Sequence, residues 1–252
     1  MKKMTLIILL LAFGIWAKAQ KNEGEVTFKR TTSWTKMNDQ MTFLSKQQKE
    51  KNAYMFGNID ISTQTYMLYF SPKGSKYEEK EENTNGFSWR KEQFVVYRDF
   101  ENEIFTDVID FVGKTYVVED SLERPQWKIL NDIKEVAGHI CMKAQIKDPI
   151  KNQVIVAWFA QDIKAKAGPE RLWGLPGLIL ELDINDGACV IAASKIEFKK
   201  LTTELDLPKK LKGSKVDTSK VVKMNIISTL VKNTEESKPA YKTIFDLNAE
   251  GQ

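Results

Sequence analysis

Trp173-Gly174-Leu175-Pro176-Gly177-Leu178-Ile179-Leu180 is the stretch whose reading decides the fold. It sets a glycine-flanked turn directly before an apolar run. Pro176 fixes its own φ and has no backbone N–H to donate. A Pro-Gly step suits the two central positions of a type II turn, which places Gly177 at positive φ. Leu178, Ile179 and Leu180 then read as the start of a buried strand. The stretch holds no nucleophile, general base or metal ligand. Its expected role is to fix a strand entry, with Leu175 at an exposed corner that serves as a binding rim.

Outward from that turn, the chain reads as short strands. Val26 and Phe28 alternate with Thr27 and Lys29, the period-two pattern of a half-buried strand. Further strands are expected at 65–70, 93–98, 103–109, 115–118, 133–146, 153–159, 178–184 and 188–199. Asn185-Asp186-Gly187 is a hairpin turn. Short strands at this spacing argue an antiparallel sheet. Segment 39–52 reads as a helix or a loose excursion. Glu78, Glu79, Glu81 and Glu82 mark 76–86 as a solvated surface excursion. Segment 163–171 reads as an exposed connection. The strongest helix pattern is C-terminal, with Asp217 or Thr218 as cap and Val222, Ile226, Ile227 and Leu230 as its apolar stripe. The fold class is thus mostly β: one curved or half-open antiparallel sheet with a C-terminal helix and minor helical additions. It is similar, by analogy of fold alone, to the half-barrels of periplasmic lipoprotein carriers.

The first 19 residues read as a cleaved signal peptide. Lys2 and Lys3 precede the apolar run Leu6–Trp16, and Ala17-Lys18-Ala19 is a small-x-small cleavage site. The run is shorter than the roughly 20 residues of a spanning helix. One β-rich domain is expected over 20–252, with a polar tail from about 234. The chain has 38 Lys+Arg and 34 Asp+Glu; without Lys2, Lys3 and Lys18 the count is 35 against 34. A near-neutral mature chain gives nucleic-acid binding no support. The expected location is the periplasm or the extracellular space.

The motif also resembles the signature of the GLPGLI family of Gram-negative bacterial envelope proteins. Trp127, Gly138–Ala144, Ala157-Trp158-Phe159, Ile163 and Gly168-Pro169 fall in the order that family shows, with His139 where an aromatic is usual. The resemblance implies an exported protein of unsettled biochemical function and no catalytic residues.

Chemistry-bearing residues are few. His139 is the lone histidine, with Cys141 two residues on and Cys189 the other cysteine. A serine-histidine-acid triad needs a histidine oriented by an acid, and His139 reads instead as a packed sheet residue. The two cysteines read as separate buried thiols or as a pair. One histidine and two scattered cysteines exclude a zinc site, and no cofactor is expected. Asp99, Asp107, Asp110, Glu119 and Asp120 are candidate carboxylates, and Arg98-Asp99 reads as a local ion pair. Trp89, Trp127, Trp158 and Trp173 read as core, with one or two lining a groove. The candidate binding residues are Trp158, Trp173, Gly174, Leu175, Pro176, Gly177 and Leu178. The expected function is a non-enzymatic binding or accessory protein that holds a peptide, a lipid or an outer-membrane protein partner. The alternatives are a carboxylate-based hydrolase and an interaction subunit of receptor or secretion machinery.

Overall fold

Strand periodicity dominates the computed structural model, which describes residues 22–40, 44–56, 60–80, 94–111, 114–148, 153–208, 211 and 213–216. The chain runs through β1 (Gly24–Ser33), α1 (Trp34–Gln40), α2 (Lys46–Phe56), β2 (Ile61–Phe70), β3 (Gly74–Glu79), β4 (Phe94–Asp99) and β5 (Ile104–Phe111). It continues through β6 (Lys114–Ser121), β7 (Lys128–Val136), β8 (His139–Asp148), β9 (Gln153–Ala160), β10 (Leu178–Ile184), β11 (Cys189–Phe198) and β12 (Ser214–Val216). All strands join one sheet in the order β12-β6-β5-β4-β3-β2-β1-β11-β10-β9-β8-β7. Every pairing is antiparallel except the short β12, which lies parallel to β6. The terminal helix around Val222–Leu230, residues 1–19 and the tail from about 234 lie outside the described residues. Among the described residues, no helix is long and apolar enough to cross a membrane.

The order and the loop lengths together force this sheet to curl. Strands β6 and β7 are ten positions apart in the sheet. In a flat sheet ten steps span about 48 Å, at about 4.8 Å per strand. Only residues 122–127 connect the two strands, and seven residue steps reach at most about 25 Å even fully extended. The two ends of the sheet must therefore turn toward each other. They do not pair, so the sheet stays open.

One face of the sheet carries the core. Val26 and Phe28 on β1 oppose Leu68 and Tyr66 on β2, and Leu68 opposes Tyr77 on β3. Tyr77 opposes Val96 on β4. All of these are buried. The same alternation carries Arg30, Arg98 and Asp107 onto this apolar face. The opposite face is wetter: Lys76 pairs with Glu78 at 2.7 Å and lies 5.6 Å from the Tyr69 ring centroid. The first part of the surface excursion expected over 76–86 is strand instead, because Tyr77 anchors it in the core while Lys76 pairs with Glu78; residues 81–86 lie outside the described residues.

Residues 161–177, between β9 and β10, form a strap over the core face. Residues 163–171 were expected to be an exposed connection, yet Ile163, Ala165 and Ala167 are buried, as are Leu172 and Leu175 after them. The strap is fastened to itself and to the sheet by Gly174 N–H to Lys166 O at 2.8 Å and Ile179 N–H to Ala167 O at 3.0 Å. It also explains why Leu178, Ile179 and Leu180 are all buried although neighbouring strand residues face opposite ways. A bulge falls between Ile179 and Glu181, and Ile179 packs beneath Gly168 of the strap.

One turn corrects the expected strand map and another bears it out. A single strand over 133–146 is replaced by a hairpin. Ala137 (φ 49°) and Gly138 (φ 80°) make its two-residue turn, and Val136 pairs with His139. Positive φ at both positions is the twist-matched solution for such a loop. The Asn185-Asp186-Gly187 turn forms as expected, with all three residues at positive φ. Cys141 and Cys189 are free and buried. They lie on β8 and β11, separated by β9 and β10.

The Pro176-Gly177 step is also not the type II turn expected. Gly177 is not among the residues at positive φ, whereas Gly174 takes φ 90°. Glycine is needed at 177 for space: a Cβ there would lie 2.2 Å from the Ala160 carbonyl oxygen. Leu175 is 1 % exposed, a core residue and not a rim. Leu175→Ala is thus expected to cost about 2–5 kcal/mol, the range for buried leucines. Gly177→Ala is expected to destabilise as well, because backbone must move. Urea unfolding of both variants measures this; a Leu175→Ala midpoint equal to that of the parent would show that the strap is not packed as described.

Candidate functional site

The strap is clamped to the sheet by charge. Arg98 on β4 donates through Nη2 to the backbone carbonyl of Glu170. Arg171 donates through Nε and Nη2 to Asp107 Oδ2 on β5, at 2.6 and 2.5 Å. Arg30 on β1 donates through Nη1 to Glu170 Oε1 at 3.1 Å. The Arg171 guanidinium also lies 5.2 Å from the centroid of the Phe94 ring. Planar guanidinium forks suit such multiple contacts better than ammonium groups do.

Burial shapes the electrostatics. It pulls the Arg98 guanidinium down to about 10, with Asp107 opposing the shift and Arg171 adding to it. It pushes the Asp107 carboxyl up, against the pull of Arg171 and Arg98. Burial is the largest influence and works against the Arg30 charge, but the Glu170 carboxylate together with Cys189, Tyr66 and Tyr77 outweighs it, and Arg30 sits above its ordinary value. Among the described residues, the buried side-chain polar atoms without a hydrogen-bond partner are Arg30 Nε, Ser75 Oγ, Tyr77 Oη, Arg98 Nη1 and Asp107 Oδ1. Four of the five belong to one patch of this face, since Ser75 pairs in register with Arg98, and Tyr77 and Asp107 each pair with Val96; Arg30 is tied to them through Glu170, whose carbonyl Arg98 holds.

Beside this cluster a cleft of about 470 Å³ opens where the two ends of the sheet face each other. One wall comes from β4 and β5 through Arg98, Phe105 and Asp107; the other comes from β7 and β8 through Lys128, Gln145 and Lys147. The segment after β6 and the strap residues Arg171–Trp173 complete it. Trp173 is fixed in the wall by stacking on Phe100 at 5.4 Å and by donating Nε1–H to the Glu123 carbonyl at 3.2 Å. Trp127 Nε1–H donates to the Trp173 carbonyl at 2.8 Å, and Arg124 holds the Gly174 carbonyl at 2.6 and 3.0 Å. The volume lies in the range of small-ligand sites, and fixed aromatics with convergent polar groups are their usual lining.

The structure divides the candidate binding residues. Trp173 lines the cleft, and Gly174 supplies a carbonyl to its wall. Leu175, Gly177 and Leu178 are buried, and only Pro176 is exposed. Trp158 sits on the other face, with Lys134 Nζ 4.5 Å and Lys143 Nζ 5.7 Å from its ring centroid. It is therefore not brought together with Trp173. Trp89 lies outside the described residues. Of the candidate carboxylates, Asp107 alone reaches the cleft among the described side chains. Asp99 accepts backbone N–H bonds from Glu101 and Asn102, both at 2.9 Å, in an exposed turn. The expected Arg98–Asp99 ion pair does not form, because adjacent strand residues point to opposite faces.

His139 is oriented by an acid after all: its Nδ1 lies 2.8 Å from Asp162 Oδ2, and its ring meets Phe198 edge-on. Cys141 is a poor nucleophile beside it. Burial and the nearby Asp162 carboxylate push its thiol up to about 11, so it carries almost no thiolate near neutrality. Among the described residues, no group of three or more His, Cys, Asp or Glu side chains could hold a metal ion. Sequence reasoning passed over Arg30, Arg124, Glu170 and Arg171. The alternations Val26-x-Phe28-x-Arg30 and Phe105-x-Asp107-x-Ile109 were the available signal, since each places a charge on an apolar face.

Comparison with known proteins bears on this site. The family described as "N-glycanase peptide, N-terminal domain" matches residues 49–220, which include every cleft residue. Structures of PNGF-II in two crystal forms share the fold, at TM-score 0.54 and 15 % identity. The match covers 78 % of this chain and 32 % or 31 % of theirs, so this chain spans about a third of their length. No curated protein sequence matches. The match to an N-glycanase family overturns two expectations. The GLPGLI assignment rested on a short turn motif and scattered residues, while the family match spans most of the described chain. The reading as a non-enzymatic binding or accessory protein rested on the lack of a catalytic set in the sequence, whereas the family is one of an enzyme.

The Arg171–Asp107 pair carries a stability prediction. Arg171→Leu leaves a buried carboxylate short of its nearest cation, a change that typically costs about 3–5 kcal/mol. Without the guanidinium, burial holds the folded-state pKa of Asp107 above its unfolded value. The folded state then binds the proton more tightly, so the deficit is greatest above the folded pKa and shrinks as pH falls through it. Asp107→Leu added to Arg171→Leu should recover part of the loss at neutral pH. Denaturant unfolding of both variants between acid and neutral pH measures this; a pH-independent Arg171→Leu deficit would show that Asp107 does not depend on Arg171.

Proposed function

The chain belongs to the family of N-glycanase N-terminal domains, and from that premise we propose that it is a glycan-processing enzyme domain whose cleft holds the carbohydrate part of an N-linked glycan. The observation that carries the reading is the cleft itself, which lies wholly within the matched residues. Ser121, Gln126 and Gln145 offer neutral donors and acceptors of the kind sugar hydroxyls use, and Phe105 and Trp173 line the same cleft. Arg171, held in place by Asp107, adds a preorganised donor fork.

Asp107 serves as a positioning residue in this reading. It is 1 % exposed and its Oδ2 is already engaged by Arg171. We place the domain's work outside the cytoplasm, which the Lys2–Ala19 export pattern supports. The test uses the full chain in two assays: titration calorimetry with a released N-linked oligosaccharide, and mass spectrometry of an N-glycopeptide incubated with the protein. Saturable oligosaccharide binding is expected, weakened about tenfold by Gln126→Ala with Gln145→Ala, a loss of about 1.4 kcal/mol, while the melting temperature holds. Glycopeptide conversion is expected to fall with the same substitutions. An absence of both binding and conversion would sink the reading.

A further inference from the structure

The charges around the cleft do not balance. Among the side chains that line the cleft, Arg98 and Arg171 face a single carboxylate, that of Asp107. Protonation of Asp107 would widen the excess. At the rim, Arg124, Lys128 and Lys147 add positive charge against Glu123. An excess charge is costly in a buried site unless a counter-ion meets it. Arg98 is the group most exposed to that cost. It is 4 % exposed and lines the cleft, and its Nη1 has no hydrogen-bond partner while Nη2 is engaged by the Glu170 carbonyl. Lysines on a surface are ordinary; a buried guanidinium with an idle donor at the edge of a cavity is not.

We propose that the cleft takes an oxyanion group, a carboxylate or a sulfate ester, with Arg98 and Arg171 as its ligands and Arg124, Lys128 and Lys147 as the attracting rim. Guanidinium forks match both groups in geometry, and charge-assisted bonds of this kind are about twice as strong as neutral ones. The anion's source on a glycan is an acidic substituent, and that half of the proposal rests on the function proposed above. The preference for anions stands on the charge count alone. Acidic N-glycans are thus the substrate class assigned to the cleft, over neutral ones. Ligand approach should also be steered by the rim and weakened by salt.

The experiment is titration calorimetry on the full chain with three probes: inorganic sulfate, a sialylated N-linked oligosaccharide and its desialylated counterpart. The acidic glycan is expected to bind about tenfold tighter than the neutral one, with sulfate competing and the difference shrinking in high salt. Arg98→Gln should remove the difference. In case that variant fails to fold, Lys147→Gln on the exposed rim should reduce it, and sulfate competition on the parent protein provides an independent reading. Equal binding of the two glycans without sulfate competition overturns the proposal and leaves the glycan reading standing. Sulfate binding that Lys147→Gln weakens, with neither glycan bound, supports the anion site and overturns the glycan source. Sulfate binding unchanged by Lys147→Gln and by Arg98→Gln marks an adventitious ion only and overturns the site.

Discussion

Six residues, 122–127, must carry the chain from β6, next to one end of the sheet, to β7 at the other, across the twelve strands found among the described residues. No flat sheet of that width can be bridged by so short a segment. Curling is therefore imposed by connectivity, and the rest follows from it. A curled sheet has an inner face to fill. With β12 and β7 left unpaired across the gap, it also has an opening at which two sheet ends stand opposite each other. The strap fills the face, and the cleft occupies the opening.

Filling that face with a strap instead of helices has a chemical consequence. An irregular segment buried against a sheet brings backbone carbonyls that need donors. Arg98 supplies one of them to the Glu170 carbonyl, and Arg124 supplies one to Gly174. Arginine suits this because its long stem crosses apolar packing and its fork reaches polar atoms on the far side. Charges introduced to satisfy the strap then need carboxylates, which Asp107 and Glu170 provide. The cationic character of the cleft thus grows out of the way the fold is held shut. Structural roles and the proposed binding roles fall on the same side chains, so a change at Arg98 or Arg171 should touch both.

Much of the architecture was legible in the sequence because period-two alternation reports it directly. Strands β1, β2, β4, β5, β6, β9, β10 and β11 fall close to their expected places. What misled were residues whose local chemistry and tertiary role differ. Gly138 sits among strand formers yet turns a hairpin, because Ala137 before it also accepts positive φ. Gly177 looked like a turn glycine and is a spacer against the Ala160 carbonyl. The polar strap looked exposed because its alternating alanines carry little hydrophobic signal. The cleft was hardly legible at all: its walls come from β4, β5, β7, β8 and the strap, segments remote in sequence that only sheet closure brings together. Arg98 and Asp107 were visible as charges on apolar strand faces, but nothing local says that their partners lie on residues 170 and 171.

We propose that carbohydrate is held in the cleft between the sheet ends, under the charged clamp of the strap. Hydrogen–deuterium exchange of the full chain with and without an acidic N-linked oligosaccharide tests it most directly. New protection is expected at 121–128, 145–147 and 170–174, segments that line the cleft or anchor the strap. Protection that appears instead on the outer face around Trp158, or an exchange pattern unchanged at saturating oligosaccharide, would contradict it.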